Sequence, residues 1–425
     1  MERRPTSPEP RLARRLGTFD AVVIGLGSMI GAGVFAAFGP AAKAAGTGLL
    51  IGLGVAAVVA YCNATASAQL AAVSPTSGGT YVYGRERLGA WWGFAAGWSF
   101  VVGKTASCAA MALTFATYAV PGPTWAQRLV GVAGVLVLVA INTRGVTRTA
   151  AATRVLVAAS LIALTVVVLA IVTGGQAGTS HLVAPTGGGY GVLQAAGLLF
   201  FAFAGYARIA TMGEEVIDPA RTIPRAIPIA LGLAVVIYAV VGLCALLAAG
   251  PSALAAADAP LATAVRAAGA AWAVPVVRVG AAVASLGALL ALIAGIGRTS
   301  LAMARNGDLP RWLSSVHPRY RVPDHAEVAL GVVVVLLVLT TDLRGAIGFS
   351  SFGVLAYYAI ANASAFTQDE EHRRWPRWLN VAGAVACVVL IATLPWRSVV
   401  AGAIVLAIGL AGRVAVRRLR PPAQV

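Results

Sequence analysis

Charge is what this sequence has least of. Only 11% of its 425 residues are charged, against 59% hydrophobic ones and a mean hydropathy of +0.83, whereas an average soluble domain carries roughly 25% charged residues. So little polar surface cannot cover a water-facing globule of this size, which leaves an integral membrane protein. Cysteine is equally sparse. Cys62, Cys108, Cys244 and Cys387 all lie in apolar segments, which excludes a disulfide frame and a CxxC metal site. His181, His317, His325 and His372 form no HxxxH pair and stand at or beyond the edges of the apolar runs, so neither a metal nor a cofactor is expected. The net charge of +17 does not signal nucleic acid, because the Arg residues fall in short clusters between long apolar runs, the way membrane topology is written.

What is present in quantity is apolar length. A bilayer core of about 30 Å takes about 20 apolar residues of helix. Twelve such runs occur, near 19–45, 48–72, 90–119, 126–142, 152–174, 190–213, 225–249, 273–303, 325–341, 346–367, 377–393 and 397–414. Their length and their Ala, Leu and Gly content, with no polar alternation, predict an all-α membrane protein of twelve transmembrane helices. Arg3, Arg4, Arg11, Arg14 and Arg15 precede the first run, and Arg clusters recur in every second loop; the intervening loops hold mainly Lys43, Arg128, Arg266, Arg344 and Arg397. This alternation places both termini in the cytoplasm. Residues 1–18 read as a retained basic tail and not a secretory signal, and 415–425 as a second cytoplasmic tail. The Asn-x-Ser/Thr sequences at Asn63 and Asn362 fall in or beside spans and are chance matches to a glycosylation pattern. Trp91, Trp92, Trp375 and Trp378 suit the membrane interface.

Two runs are interrupted by small residues: the first at GSMIGAG (Gly27–Gly33) and the sixth at FFAFAGY (Phe200–Tyr206). The glycine spacing of the first does not fit a dinucleotide fingerprint, and a membrane span is the wrong context for one. Taken alone, its GxxxG would read as a helix-packing face. The second interruption, at the matching place five spans later, favours a pair of discontinuous helices instead. Five is odd, so the second half would be inverted relative to the first, and paired broken helices in such a repeat point to a transporter's midplane site. Freed N–H groups at a half-helix start suit a carboxylate, and freed C=O groups suit an ammonium. An α-amino acid carries both.

With these residues in view, the chain resembles the amino acid–polyamine–organocation transporters, closest to bacterial amino acid permeases and the cationic amino acid transporter branch. MIGAGVF (Met29–Phe35) resembles the family's helix 1 break. The stretch Phe200–Ile227, with its EE…P…IPRAI pattern, resembles helix 6 and the loop after it, and RTSLAMARNGDLP (Arg298–Pro310) resembles the end of helix 8. The resemblance implies a five-plus-five inverted repeat of the LeuT-like kind. Helices 1–5 would lie within 19–174, helices 6–10 within 190–367, and two further helices within 377–414. It also implies carboxylate binding by the backbone at Gly31, Ala32 and Gly33, and amine binding by carbonyls near Met29, Ile30, Phe201, Ala202 and Ala204, with Phe203 and Gly205 in the same break. Phe201 stands where the family often has an aromatic closing over the substrate. Ala32 stands where some members have Ser, so a hydroxyl contact is missing.

No acid falls at the middle of any expected span, but Lys104 lies roughly 21 Å into helix 3 at 1.5 Å per residue. An ionisable group at that depth is a functional candidate. Two roles stand open for it: a proton carrier in coupling, or a permanent cation that neutralises free carbonyls. By the resemblance, some proton-coupled members carry a lysine in helix 5 at a sodium position; this chain has Ser160 there, and helix 8 offers Ser285 without a dense hydroxyl pair. Proton symport or exchange is therefore expected over sodium symport. Glu214 and Glu215, with Arg208, Arg221 and Arg225, form either a cytoplasmic gate or a topology marker.

Together these readings predict a plasma-membrane secondary transporter for amino acids, working by alternating access without a chemical step. Its partners would be a small-molecule substrate, lipid and possible coupling protons. A polyamine or amine carrier and a non-transporting sensor on the same fold remain as alternatives; a membrane enzyme lacks midplane acids, histidine clusters and metal spacing.

Overall fold

The structure is a computed structural model that describes residues 16–74, 78–145, 150–182, 184–212 and 215–419. Among these the chain is helical, and its one β-type pairing is a single parallel bridge between Leu16 and Val216. The first apolar run is split into α1 (Thr18–Met29), α2 (Ala32–Ala36) and α3 (Phe38–Ala45). There follow α4 (Leu49–Val73), the short α5 (Thr80–Arg87), α6 (Ala90–Ala119), α7 (Thr124–Thr143) and α8 (Ala150–Thr173). The sixth run gives α9 (Gly188–Phe203) and α10 (Ala207–Ala210), joined by a tight 3-10 turn. Then come α11 (Pro219–Ala256), the short α12 (Pro260–Ala267), α13 (Val274–Arg305), α14 (Asp324–Thr340), α15 (Leu343–Phe366), α16 (Arg377–Thr393) and α17 (Trp396–Leu419).

Among the described residues ten helical runs are long and apolar enough to cross a membrane. The two remaining expected spans form α14 and α16, each of 17 residues, or about 25 Å of helix. Several spans exceed the bilayer core: α6 has 30 residues and α13 has 32, lengths that a membrane accommodates by tilt. Helix α11 is broken near its end, where Gly250 takes a φ of 71°. Prolines open α11 and α12, where their missing N–H breaks no ladder bond. The Asp342 side chain caps α15 by accepting from the Gly345 N–H at 2.8 Å. Several hydroxyls in the spans bond back to carbonyls one turn earlier, as Ser28 does to Ile24 at 2.9 Å and Thr114 to Ala110 at 2.7 Å, which spares those O–H groups from meeting the apolar medium unpaired.

The bundle has an inside and an outside. Of the most apolar stretch of α15, 78% is buried, against 22% for α7 and 17% for α17. The first is thus central and the other two peripheral. Val58, Leu136, Val155, Ile162, Val236, Val332 and Ile404 stand exposed along the outer faces, a surface fit for lipid and unfit for water. Trp91, Trp92 and Trp378 are exposed near helix ends.

Helix contacts recur with an offset of five spans. α1 packs on α11 as α9 packs on α4; α1 packs on α8 as α9 packs on α15; α6 packs on α15 as α13 packs on α8. The pairs α6–α13, α7–α14 and α4–α11 map onto themselves under the same offset. Polar links hold central spans together. Asn362 donates to the Asn63 side-chain oxygen at 2.6 Å, and Cys387 approaches the same oxygen at 3.4 Å. Both asparagines are fully buried, which removes any use as glycan acceptors.

Candidate substrate site

Helix 1 breaks because Ile30 and Gly31 leave the helical region. Their φ/ψ values are −78°/43° and −89°/−136°, and the last ordinary bond of α1 runs from Ile30 N–H to the Leu26 carbonyl at 2.7 Å. Small residues let this break meet the one in helix 6. A Cβ on Gly33 would lie 2.6 Å from the Ala202 Cα, and one on Gly205 would overlap the Ser28 carbonyl and the Met29 N–H. A side chain at either position would separate the two breaks.

At the expected interruption of helix 6, Ala204–Tyr206 tighten into a 3-10 turn between α9 and α10. Gly205 can press onto α1 only in that compact form, and a tightened turn leaves fewer orphan carbonyls than an open one. Two side chains take the carbonyls that remain. The Tyr238 hydroxyl, from α11, is shared between the carbonyl oxygens of Met29 at 2.6 Å and Ala202 at 3.0 Å. The Lys104 ammonium, from α6, donates to the Ala204 carbonyl at 3.1 Å. Tyr238 is 1% and Lys104 7% exposed. Tyr238 also packs its ring against Phe203 at 5.0 Å. Phe201, at 8%, is the most accessible of the three phenylalanines of this turn; Phe200 and Phe203 are fully buried.

The far half of helix 1 is held separately. Tyr118 donates to the Phe35 carbonyl at 2.8 Å and accepts from the Leu261 N–H at 3.2 Å, tying α2 to α6 and α12. Met29, Ile30, Gly31, Ala32 and Gly33 are all buried, and Gly31 abuts Ala288 of α13. Ser160 lies behind the break. It lines a small cavity with Gly27, Ile30, Thr153, Val157, Ala284 and Ala288, and its hydroxyl bonds back to the Leu156 carbonyl at 2.8 Å.

Of the expected gate residues, Glu214 lies outside the described residues. Glu215 contributes its carbonyl to the Leu16 N–H at 3.1 Å, within the Leu16–Val216 bridge. Arg208 lies within electrostatic reach of Glu215 and Arg298, but no ion pair joins it among the described residues. Arg221 pairs only with exposed Asp218, at 3.7 Å. The buried ionic centre is Asp308, just after α13. Arg85 reaches it at 3.2 Å, Arg413 at 3.0 Å and the Tyr81 hydroxyl at 2.8 Å. Arg413 also lies over the Phe94 ring at 4.6 Å. Three elements, α5, α13 and α17, are thereby fastened at one point. Asp308 stood inside the quoted RNGDLP motif; its partners, far off in sequence, gave no local signal. Glu327, in the first turn of α14 and 2% exposed, escaped notice because a search for midplane acids passes over span ends.

Two broken helices packed back to back, with polar backbone at the middle of an apolar bundle, are the observation that frames the comparisons. The family model described as amino acid permease matches residues 16–409. The chain belongs to the amino acid permease family. It is 59% identical to a transporter of Mycobacterium tuberculosis, over 98% of this chain and 96% of that one. It is 27% identical to a branched-chain amino acid permease of Bacillus subtilis, over 95% and 93%. It is 29% identical to a human cationic amino acid transporter, over 84% of this chain and 60% of that one. Membership in this family makes the chain a multi-pass membrane transporter.

Proposed function

We propose that this permease carries amino acids across the plasma membrane by alternating access, through twelve spans with both termini cytoplasmic. The juxtaposed breaks of helices 1 and 6 carry this reading: Gly33 against Ala202, Gly205 against Ser28, and Tyr238 bridging both. Broken backbone inside a membrane bundle is tolerated where it lines a cavity or meets a ligand. The substrate carboxylate meets the N–H groups of Gly31, Ala32 and Gly33; its ammonium takes the carbonyl side of the same breaks in place of the Tyr238 hydroxyl, with Phe201 closing over it. The five-span offset in helix packing supports an inverted five-plus-five repeat.

Coupling to protons or to exchange fits better than coupling to sodium. Behind the helix 1 break, the cavity at Ser160 offers Thr153 as its other hydroxyl and is otherwise walled by Gly27, Ile30, Leu156, Val157, Ala284 and Ala288, few side-chain oxygens for a hard cation. Lys104 is the coupling candidate. Arg208, Glu215 and the Asp308 cluster form the cytoplasmic closure. The names of relatives, branched-chain in one and cationic in another, support amino acids as the substrate class. The test is counterflow in proteoliposomes: trapped unlabelled amino acid should drive transient accumulation of the same labelled amino acid. Binding without such exchange would favour a sensor instead.

A further inference from the structure

Lys104 is a buried cation whose charge nothing in the permease reading balances. Its ammonium lies mid-way along α6, donates to the Ala204 carbonyl at 3.1 Å and is 7% exposed. Ala204 directly follows α9, so that oxygen belongs to the negative end of a half-helix. Tyr238 meanwhile occupies the Met29 and Ala202 carbonyls. Three carbonyls suited to a substrate ammonium therefore already meet donors from the chain itself. A carbonyl dipole relieves a buried ammonium only in part, and a full opposite charge is the usual partner of one. Among the described residues six ion pairs occur, and none includes Lys104. The thiol of Cys108, one turn along the same helix, acts on it electrostatically. Further cations lie beyond the turn. Arg208 is four residues past Ala204 on α10, with Arg298 near it; Glu215 and Glu327 act on those two arginines.

We propose that the site selects amino acids of net negative charge, whose second carboxylate pairs with the Lys104 ammonium between the two breaks. This deepens the permease reading and rests on it. A zwitterion brings no net charge and leaves the lysine as an isolated cation in a low-dielectric bundle. A cationic amino acid adds a like charge within a few ångströms of it. A dicarboxylic amino acid closes the balance, and the loaded site becomes neutral apart from its dipoles. The competing role for Lys104, a permanent cap on the carbonyl end of α9, gives no reason for the site to prefer one substrate charge over another.

The test compares near-isosteric pairs that differ only in charge, glutamate with glutamine and aspartate with asparagine, as labelled substrates and as competitors in counterflow by the full-length protein. The wild type should favour the acid over its amide by about tenfold or more, the scale of one partly screened charge pair. Lys104→Met should bring that ratio near one, and Lys104→Arg should keep it above one. Amides carried as well as acids by the wild type, or an acid-to-amide ratio unchanged in Lys104→Met, would overturn the proposal. Should Lys104→Met fail to fold, the wild-type comparison decides alone. If no amino acid of any charge drives counterflow, the permease reading itself falls, and that result is distinct from a site that carries amides but not acids.

Discussion

The hydroxyl of Tyr238 lies 2.6 Å from the carbonyl oxygen of Met29, at the last residue of α1 before the helix breaks. Because the same hydroxyl reaches the Ala202 carbonyl at 3.0 Å, one side chain of α11 holds the two broken helices at a common point. Tyr238→Phe removes the donor and keeps the ring on Phe203. Leaving buried acceptors unmet costs about 1–3 kcal/mol, so the variant should melt at a lower temperature in detergent. Because the hydroxyl holds acceptors suited to a substrate ammonium, added substrate should recover more stability in the variant than in the wild type. An unchanged melting temperature would mean that Tyr238 does not fasten the breaks.

Gly205 is where the two breaks touch most closely. A Cβ there collides with the Ser28 carbonyl and the Met29 amide, which are backbone and cannot swing away. Gly205→Ala should therefore lower transport by an order of magnitude or more, in the range of overpacking penalties of about 1–3 kcal/mol. Gly54→Ala is the control: its Cβ meets nothing within 4 Å. Equal uptake by the two variants would deny the close approach any part in function.

Lys104 gives a second readout besides substrate charge. If its ammonium takes up a proton on one side and releases it on the other, an inward proton gradient should accelerate uptake by wild-type proteoliposomes. Lys104→Met should abolish that acceleration while leaving homo-exchange measurable. A variant that still responds to the gradient would remove Lys104 from proton coupling and leave it as a fixed charge.

Asp308 should govern rate more than affinity. With Arg413 it forms a pair whose side chains are 6% and 3% exposed, and breaking such a pair leaves an uncompensated buried charge worth about 3–5 kcal/mol. Asp308→Asn should lower thermal stability and alter the transport rate with little change in half-saturation. A pure loss of affinity would contradict a closing role.

Tyr81, in the same cluster, adds a pH signature. Burial first, and then the Asp308 carboxylate, push its phenol from 10.0 up to about 12. The folded protein thus favours the neutral phenol, whose contribution is complete below about pH 10 and fades as pH rises through about 12. Melting curves of wild type and Tyr81→Phe should differ by a constant amount below about pH 10 and converge above it. A difference that varies across neutral pH would assign the pH dependence to another group.

Much of this was legible in the sequence because a bilayer enforces it. Apolar length marks the spans, and glycines in a span mark either a break or a close approach; at Gly33 and Gly205 they mark both. The depth of Lys104 followed from counting along helix 3. Its acceptor did not, since Ala204 is 100 residues further on and only the folded bundle brings them together. Tyr238 was silent for the same reason: one tyrosine in an apolar helix looks like any buried aromatic until its hydroxyl is placed. The interruption after Phe203 was visible, but small residues permit an unwound stretch and a 3-10 turn equally, and the contact with Ser28 selects the turn. The acidic pair beside helix 6 drew attention by its charge, whereas the buried ionic centre is Asp308, assembled from three distant segments.

The most direct measurement of the central claim is counterflow by the purified wild-type protein in proteoliposomes, for amino acids first selected by thermal stabilisation. At least one amino acid should both raise the melting temperature and drive transient accumulation of its labelled form. Stabilisation without accumulation, or no response to any amino acid, would contradict transport through the paired breaks of helices 1 and 6.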